Sequence, residues 1–172
     1  GLNPFQLPDT PANRMFLYKL VEQCADGATA DEMRQIKLAV DTLFSVGFAQ
    51  RNFSVLLENI PYSADADSLR TRLGRWCRSE DGIYAWCLDN DSNRFNPDEF
   101  YRIGLDVTSI LKPDYAPTGP VLAYLFYLKE MMAERVAEQG SLLATVVAEF
   151  WYAASYEVTA DLMKKTLKTG RK

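Results

Sequence analysis

The residues best suited to chemistry lie near the end of the chain, in Leu143-Ala144-Thr145-Val146-Val147-Ala148-Glu149-Phe150-Trp151. Residues 142–150 make a short apolar run with two valines at its centre, the pattern of a strand covered on both faces in a parallel sheet. Glu149 then stands at the carboxyl end of a buried strand, where open α/β folds place ligand chemistry. In nucleotide-driven motors such a strand ends in Asp-Glu: the Asp holds magnesium and the Glu orients or polarises the attacking water. Here Ala148 occupies the Asp position, which leaves only the water-activating half of the pair. The competing reading is an acid that ends a strand at the surface and does no chemistry.

Few other residues compete for a role. The sequence contains no histidine, so it lacks the commonest metal ligand and the commonest general base. Catalysis would have to use carboxylates, Lys, Arg, Tyr, Cys or a borrowed cofactor. Its three cysteines, Cys24, Cys77 and Cys87, include no CxxC pair, and neither a zinc site nor a disulfide framework is indicated. Cys24, beside Leu20, Val21 and Ala25, reads as a small core residue. Asp89-Asn90-Asp91 lacks the glycine and distal glutamate of a cation-binding loop and reads as a turn. Asp106 reads as a cap for the Thr108-Ser109 turn ahead of a catalytic acid. A net charge of −4 and a pI near 4.9 give no firm nucleic-acid signal. Trp76, Trp86 and Trp151 therefore read as core or interface residues rather than base-stacking platforms.

The chain that must position these groups has 172 residues, 48% hydrophobic and 24% charged, an ordinary balance for one domain or one large folded fragment. No stretch approaches the roughly 20 apolar residues that span a bilayer. Unpaired cysteines and the lack of a signal-peptide pattern point to the cytoplasm.

The first half reads as helical. Thr10-Pro11 is a hydroxyl cap followed by proline in the first turn, and Phe16, Leu17, Leu20, Val21 and Cys24 recur at helical spacing until Asp26-Gly27. Thr29 with Glu32 has capping-box spacing and opens a second helix with Met33, Ile36, Val40, Leu43 and Phe44 on one stripe. Phe53, Leu56, Leu57 and Ile60 make a third, ended by Pro61. Asp67 starts a fourth, with Leu69, Leu73 and Trp76 facing inward. The second half changes character. Residues 83–88 and 100–107 read as strands, residues 108–111 as a short turn or helix, and residues 121–137 as a strongly apolar helix between Pro120 and Gly140. That helix followed by the run at 142–150, after an earlier strand, is the βαβ pattern of a parallel sheet.

Several segments resemble, in order, one family. Asn3-Pro4-Phe5-Gln6 with Asn13-Arg14, GIYAWCLDN at 82–90, IGLDVTSIL at 103–111, residues 117–130 with Tyr124-Leu125-Phe126, and Val146-Val147-Ala148-Glu149-Phe150-Trp151 are similar to successive stretches of the type IV secretion (conjugal transfer) ATPases. Leu167-Lys168-Thr169-Gly170-Arg171-Lys172 resembles the Lys-Thr-x-Arg-Lys segment that follows in that family. These are the CagE/TrbE/VirB proteins, TrwK-like members of the HerA/FtsK-like RecA-fold motors. Each segment is weak alone; together they cover nearly the whole chain.

The resemblance implies an α/β fold class: part of a RecA-like P-loop NTPase core with an inserted helical subdomain, predominantly helical overall. Residues 1–9 would be a core-derived extended segment, 10–80 the helical insertion, and 81–172 the core portion carrying the Walker B strand. It implies ATP and magnesium as cofactors of the parent and Glu149 as its water-activating residue. It further implies homo-oligomers (hexamer or dimer), other secretion components as partners, and a cytoplasmic position peripheral to the inner membrane. Arg171 would then reach a neighbouring subunit's nucleotide as an arginine finger; alternatively it belongs to a solvated basic tail with Lys164, Lys165, Lys168 and Lys172. Two departures matter. No GxxxxGK(S/T) loop occurs in the sequence, and Ala148 replaces the magnesium-holding Asp. A non-catalytic interaction module of a secretion complex is the alternative, and a helical adaptor of unrelated origin is a third.

Overall fold

Thr10 accepts the backbone N–H of Asn13 with its side chain, and Pro11 takes the first helical position, where its missing N–H costs nothing. Helix α1 (Pro11–Cys24) follows and ends at Asp26 and Gly27, both at positive φ. Helix α2 (Ala30–Leu43) opens with the capping box the spacing predicts: Thr29 and Glu32 satisfy each other's backbone N–H groups. Helices α3 (Phe53–Glu58) and α4 (Leu69–Gly74) are one and a half turns each, capped by Asn52 and Ser68. The fourth helix thus starts two residues after Asp67, because the Ser68 hydroxyl supplies the cap.

The computed structural model describes residues 1–93, 103–112, 114–141 and 143–144. The chain divides into two compact units, Gly1–Phe95 and Asn96–Lys172. In the first, α1 packs on α2, α2 on α3, and α4 on both α1 and α3. Leu17, Leu20, Val21, Ile36, Ala39, Val40, Leu56, Leu57 and Leu73 are fully or almost fully buried and form its core. Burying such side chains contributes roughly 1.5–3 kcal/mol each and outweighs the weak intrinsic stability of helices this short. Aromatic rings join α3, α4 and the segments flanking them. Phe5 meets Phe53 edge-on at 5.1 Å, Phe53 stacks on Trp76 at 6.4 Å, and Trp76 meets Tyr84 at 5.2 Å. The Trp76 indole N–H donates to the Cys24 carbonyl at 2.8 Å, so the largest core side chain leaves no polar group unmet.

The predicted strand at 83–88 is not one. Residues 83–84 are a turn and Ala85–Leu88 is a single helical turn, α5. Gly82 explains the difference. A Cβ there would lie 2.4 Å from the Gly74 carbonyl oxygen, so only glycine lets the backbone lie against the end of α4. The Tyr84 N–H then donates to the Arg75 carbonyl, and Ala85, Cys87 and Leu88 turn inward. The β-rich composition of the run yields to this local packing.

In the second unit, α6 (Thr118–Glu138) is the long apolar helix expected, buried from Thr118 through Tyr124 and closed by Gly140 at φ 71°. Its first hydroxyl, Thr118 Oγ1, donates to the Ile110 carbonyl at 2.6 Å and ties the helix start to the turn at 108–110. The predicted strand at 100–107 is irregular over 103–107 and lies outside the described residues over 100–102. The described residues are therefore helical, with no strand among them; the run at 142–150 lies almost wholly outside them. No described helix is long and apolar enough to cross a membrane.

Candidate functional site

The residues singled out for nucleotide chemistry, Ala148, Glu149 and Arg171, all lie outside the described residues, as does Trp151. What the first unit does assemble is a polar centre on Asp89, a residue the sequence placed in a simple turn. Asp89 is only 2% exposed. Its Oδ1 accepts the backbone N–H of Phe53 at 2.9 Å and of Ser54 at 3.1 Å. Its Oδ2 accepts the Ser54 hydroxyl at 2.6 Å and the Arg78 N–H at 2.7 Å. Ser54 Oγ in turn accepts from the Ser79 N–H. A carboxylate offers about four acceptor directions, and all are used by protein donors. Asp89 therefore neutralises the exposed N–H groups that open α3 and the short 3-10 turn Arg78–Glu80, and it has no capacity left for a cation. No group of three metal-binding side chains exists among the described residues.

Next to this centre, the first segment of the chain is fastened to residues 90–93. Asn3 is fully buried and caps the 3-10 turn Pro4–Gln6 by accepting the Phe5 N–H. Its Nδ2 donates to the Asn90 carbonyl at 2.6 Å and to the Arg51 carbonyl at 2.8 Å. Asn90 returns a bond from its own Nδ2 to the Leu2 carbonyl at 2.8 Å and accepts from Arg78 Nη2. Gln6 completes the pairing, donating to the Asp91 carbonyl and accepting the Asn93 N–H. Asn-Pro is a local turn signal, and nothing in the spacing of Asn3 and Asn90 announces that they meet.

The remaining chemistry-bearing groups are structural. Cys24, Cys77 and Cys87 are unpaired and buried, and burial pushes their thiols up, that of Cys87 to about 12. None of them is poised as a nucleophile. The Arg72 guanidinium donates to the Ala25 and Gly27 carbonyls at the end of α1 and pairs with Glu32. The Thr29 N–H, more than Arg72, holds the Glu32 carboxyl below its usual range. Arg14 bridges Asp9 and Asp41 at 2.7 Å each and lies over the Phe44 ring. In the second unit Asp106 accepts the Thr108 N–H at 3.0 Å, as a turn cap does. Ile83 and Trp86 are the exposed apolar residues of the 83–88 turn, 65% and 54% exposed. Trp76 is a core residue and Trp86 is not.

No established family profile matches the chain. Individual proteins do. The chain is 33% identical over 137 residues to the type IV secretion system protein PtlC of Bordetella pertussis, covering 74% of this chain and 16% of that protein. It is 31% identical over 144 residues to the type IV secretion system protein virB4 of Brucella abortus, covering 76% and 17%. The virB4 protein of Bartonella quintana is 29% identical over 179 aligned residues, covering 100% of this chain and 21% of that protein. The chain thus spans between a sixth and about a fifth of the length of these curated relatives.

Proposed function

Since the chain belongs to the VirB4/PtlC family of type IV secretion system proteins, we propose that it is one segment of a larger motor ATPase that powers substrate translocation or pilus biogenesis. The observation that carries this reading is the likeness itself, which runs along most of the chain rather than through one motif. The ordered segments of the sequence that resemble the family, among them the one carrying Glu149, point the same way. In this reading Glu149 orients the attacking water in the parent, on a RecA-like strand formed by residues 142–150.

Among the described residues nothing fits ATP or magnesium. Asp89, the most deeply buried carboxylate among the described residues, is saturated by protein donors, and the sequence has no glycine-rich phosphate cradle. The nucleotide is therefore assigned to the parent, where other segments would supply the phosphate contacts. Ala148 leaves the metal contact of its position to another group, and Arg171 is placed as a residue that stabilises charge on a neighbouring subunit's nucleotide. We further propose, from the resemblance of the sequence segments, that the parent works as a homo-oligomer with other secretion components, at the cytoplasmic side of the inner membrane. Glu149→Gln in the full-length parent tests the reading: ATP turnover should be lost, and unchanged turnover would overturn the role of Glu149.

A second reading rests on the first unit. Its buried polar side chains Asn3, Asn13 and Asp89 are bonded within the unit while Ile83 and Trp86 are exposed, which suits a helical module that docks a secretion component and does no chemistry. The two readings separate on the parent: a motor hydrolyses ATP, and a docking module does not.

A further inference from the structure

We propose that the exposed pair Ile83 and Trp86 is a seat for an apolar stretch of the parent's own chain, and not for a separate protein. This rests on the reading of the chain as one segment of a longer protein. The two side chains are 65% and 54% exposed and stand three positions apart on the turn at 83–88. The residues beside them turn inward: Ala85, Cys87, Leu88 and Asp89 are buried, and Tyr84 is half-buried. Their exposure is not slack in the backbone. The Gly82 N–H donates to the Cys77 carbonyl, the Tyr84 N–H to that of Arg75, and the Asp89 N–H to that of Ala85. Arg75 also donates to the Tyr84 hydroxyl, and the Asp89 carboxylate fixes the far end of the turn. Both apolar side chains are thus held outward in one place, so covering them orders little that is not already ordered.

The size of the pair decides between occupants. A stable interface between separate proteins buries about 800 Å² on each side, or roughly 20–30 residues. One turn bearing two large apolar side chains falls far short of that. Its neighbours are polar: the Arg75 guanidinium lies over the Tyr84 ring at 5.0 Å, and the Asn90 amide donates to the Trp86 carbonyl. The other large exposed apolar side chains of the first unit stand on other elements, Met15 on α1, Leu38 on α2, Phe48 in the turn at 48–50 and Tyr62 between α3 and α4. A tethered stretch needs far less area. Membership of the same chain gives it a high effective concentration and spares it most of the cost of association. The relatives supply the length: the Bartonella quintana protein aligns with all of this chain over only 21% of its own, leaving most of a protein of that length outside it.

Photo-cross-linking of the full-length parent tests this. Trp86→p-benzoylphenylalanine and, separately, Ile83→p-benzoylphenylalanine place the reactive group at exposed positions that tolerate the exchange. Irradiation is carried out in cells carrying the secretion system, and again on a purified mixture of heavy-isotope and ordinary parent. In both, the group should join to a peptide of the parent outside residues 1–172, and in the mixture both peptides should be of one isotopic kind. Pairs of mixed isotopic kind would put a second copy on the seat, and a peptide of another protein would put a separate partner there. Attachment only within residues 1–172, or none at either position, would mean that no other stretch of the parent covers the pair. Each of these results overturns the proposal. ATP turnover of the same purified parent keeps the two readings apart: an inactive parent that still gives the intrachain product would remove the motor role and support this seat.

Discussion

The Ser54 hydroxyl donates to Asp89 Oδ2 at 2.6 Å, while the Ser54 N–H donates to the other oxygen of the same carboxylate at 3.1 Å. One residue at the start of α3 thus grips both oxygens of an acid 35 positions away in sequence. With Phe53 and Arg78 also donating, the buried charge is held by hydrogen bonds alone. Asp89→Ala strands these donors in the core and should destabilise the first unit by roughly 3–5 kcal/mol. Asp89→Asn keeps one acceptor oxygen and should cost about 2 kcal/mol. Denaturant unfolding of the chain measures both, and a loss under 1 kcal/mol for the alanine variant would show that the centre is not structural.

Two glycines eight positions apart behave oppositely. A Cβ on Gly82 would meet the Gly74 carbonyl at 2.4 Å, so Gly82→Ala forces the 83–88 turn off α4 and should cost roughly 1–3 kcal/mol. A Cβ on Gly74 meets only the Glu80 side chain, at 3.5 Å, an ordinary contact. Gly74→Ala should be neutral or stabilise by up to about 1 kcal/mol. Equal losses at the two positions would contradict the close approach.

The helices of the first half were legible in the sequence because their signals are local. Thr10-Pro11, Thr29 with Glu32, and the stripe through Ile36, Val40 and Leu43 decide structure within a turn or two. The run at 83–88 has a strand's composition but not its conformation, which is set by Gly82 against α4, a contact that composition does not encode. The role of Asp89 is hidden for the same reason: its donors come from residues 53, 54 and 78, and only folding brings them together. The Asn3–Asn90 pairing spans 87 positions and has no periodic or motif signal. The candidate site at 148–149 rests on resemblance and strand pattern, and it lies outside the described residues.

Acid should weaken the cap of α2. The Glu32 carboxylate is held below its usual range by the Thr29 N–H first and by Arg72 as well. A carboxylate lowered in the folded state contributes stability that is present above about pH 5 and is lost as pH falls below about 4. Glu32→Gln should therefore flatten that part of the stability profile, and Thr29→Ala should cost about 1 kcal/mol at neutral pH. An unchanged acid limb in Glu32→Gln would exclude Glu32 from the transition.

The thiols give a probe of the fold. Burial raises all three, and Cys87 to about 12, so a disulfide reagent at neutral pH should label none of them while the chain is folded. Denaturant should release three reactive thiols together, one for each cysteine in the sequence. Fast labelling of any one under native conditions would mean that the core around Trp76 opens readily.

The reading of the chain as part of a motor is tested most directly by ATP turnover of the full-length parent carrying Glu149→Gln, with nucleotide binding measured on the same sample. Turnover should fall by about 100-fold or more, as loss of a group acting on the attacking water does, while ATP still binds. Turnover equal to that of the unaltered parent would contradict the assignment of Glu149.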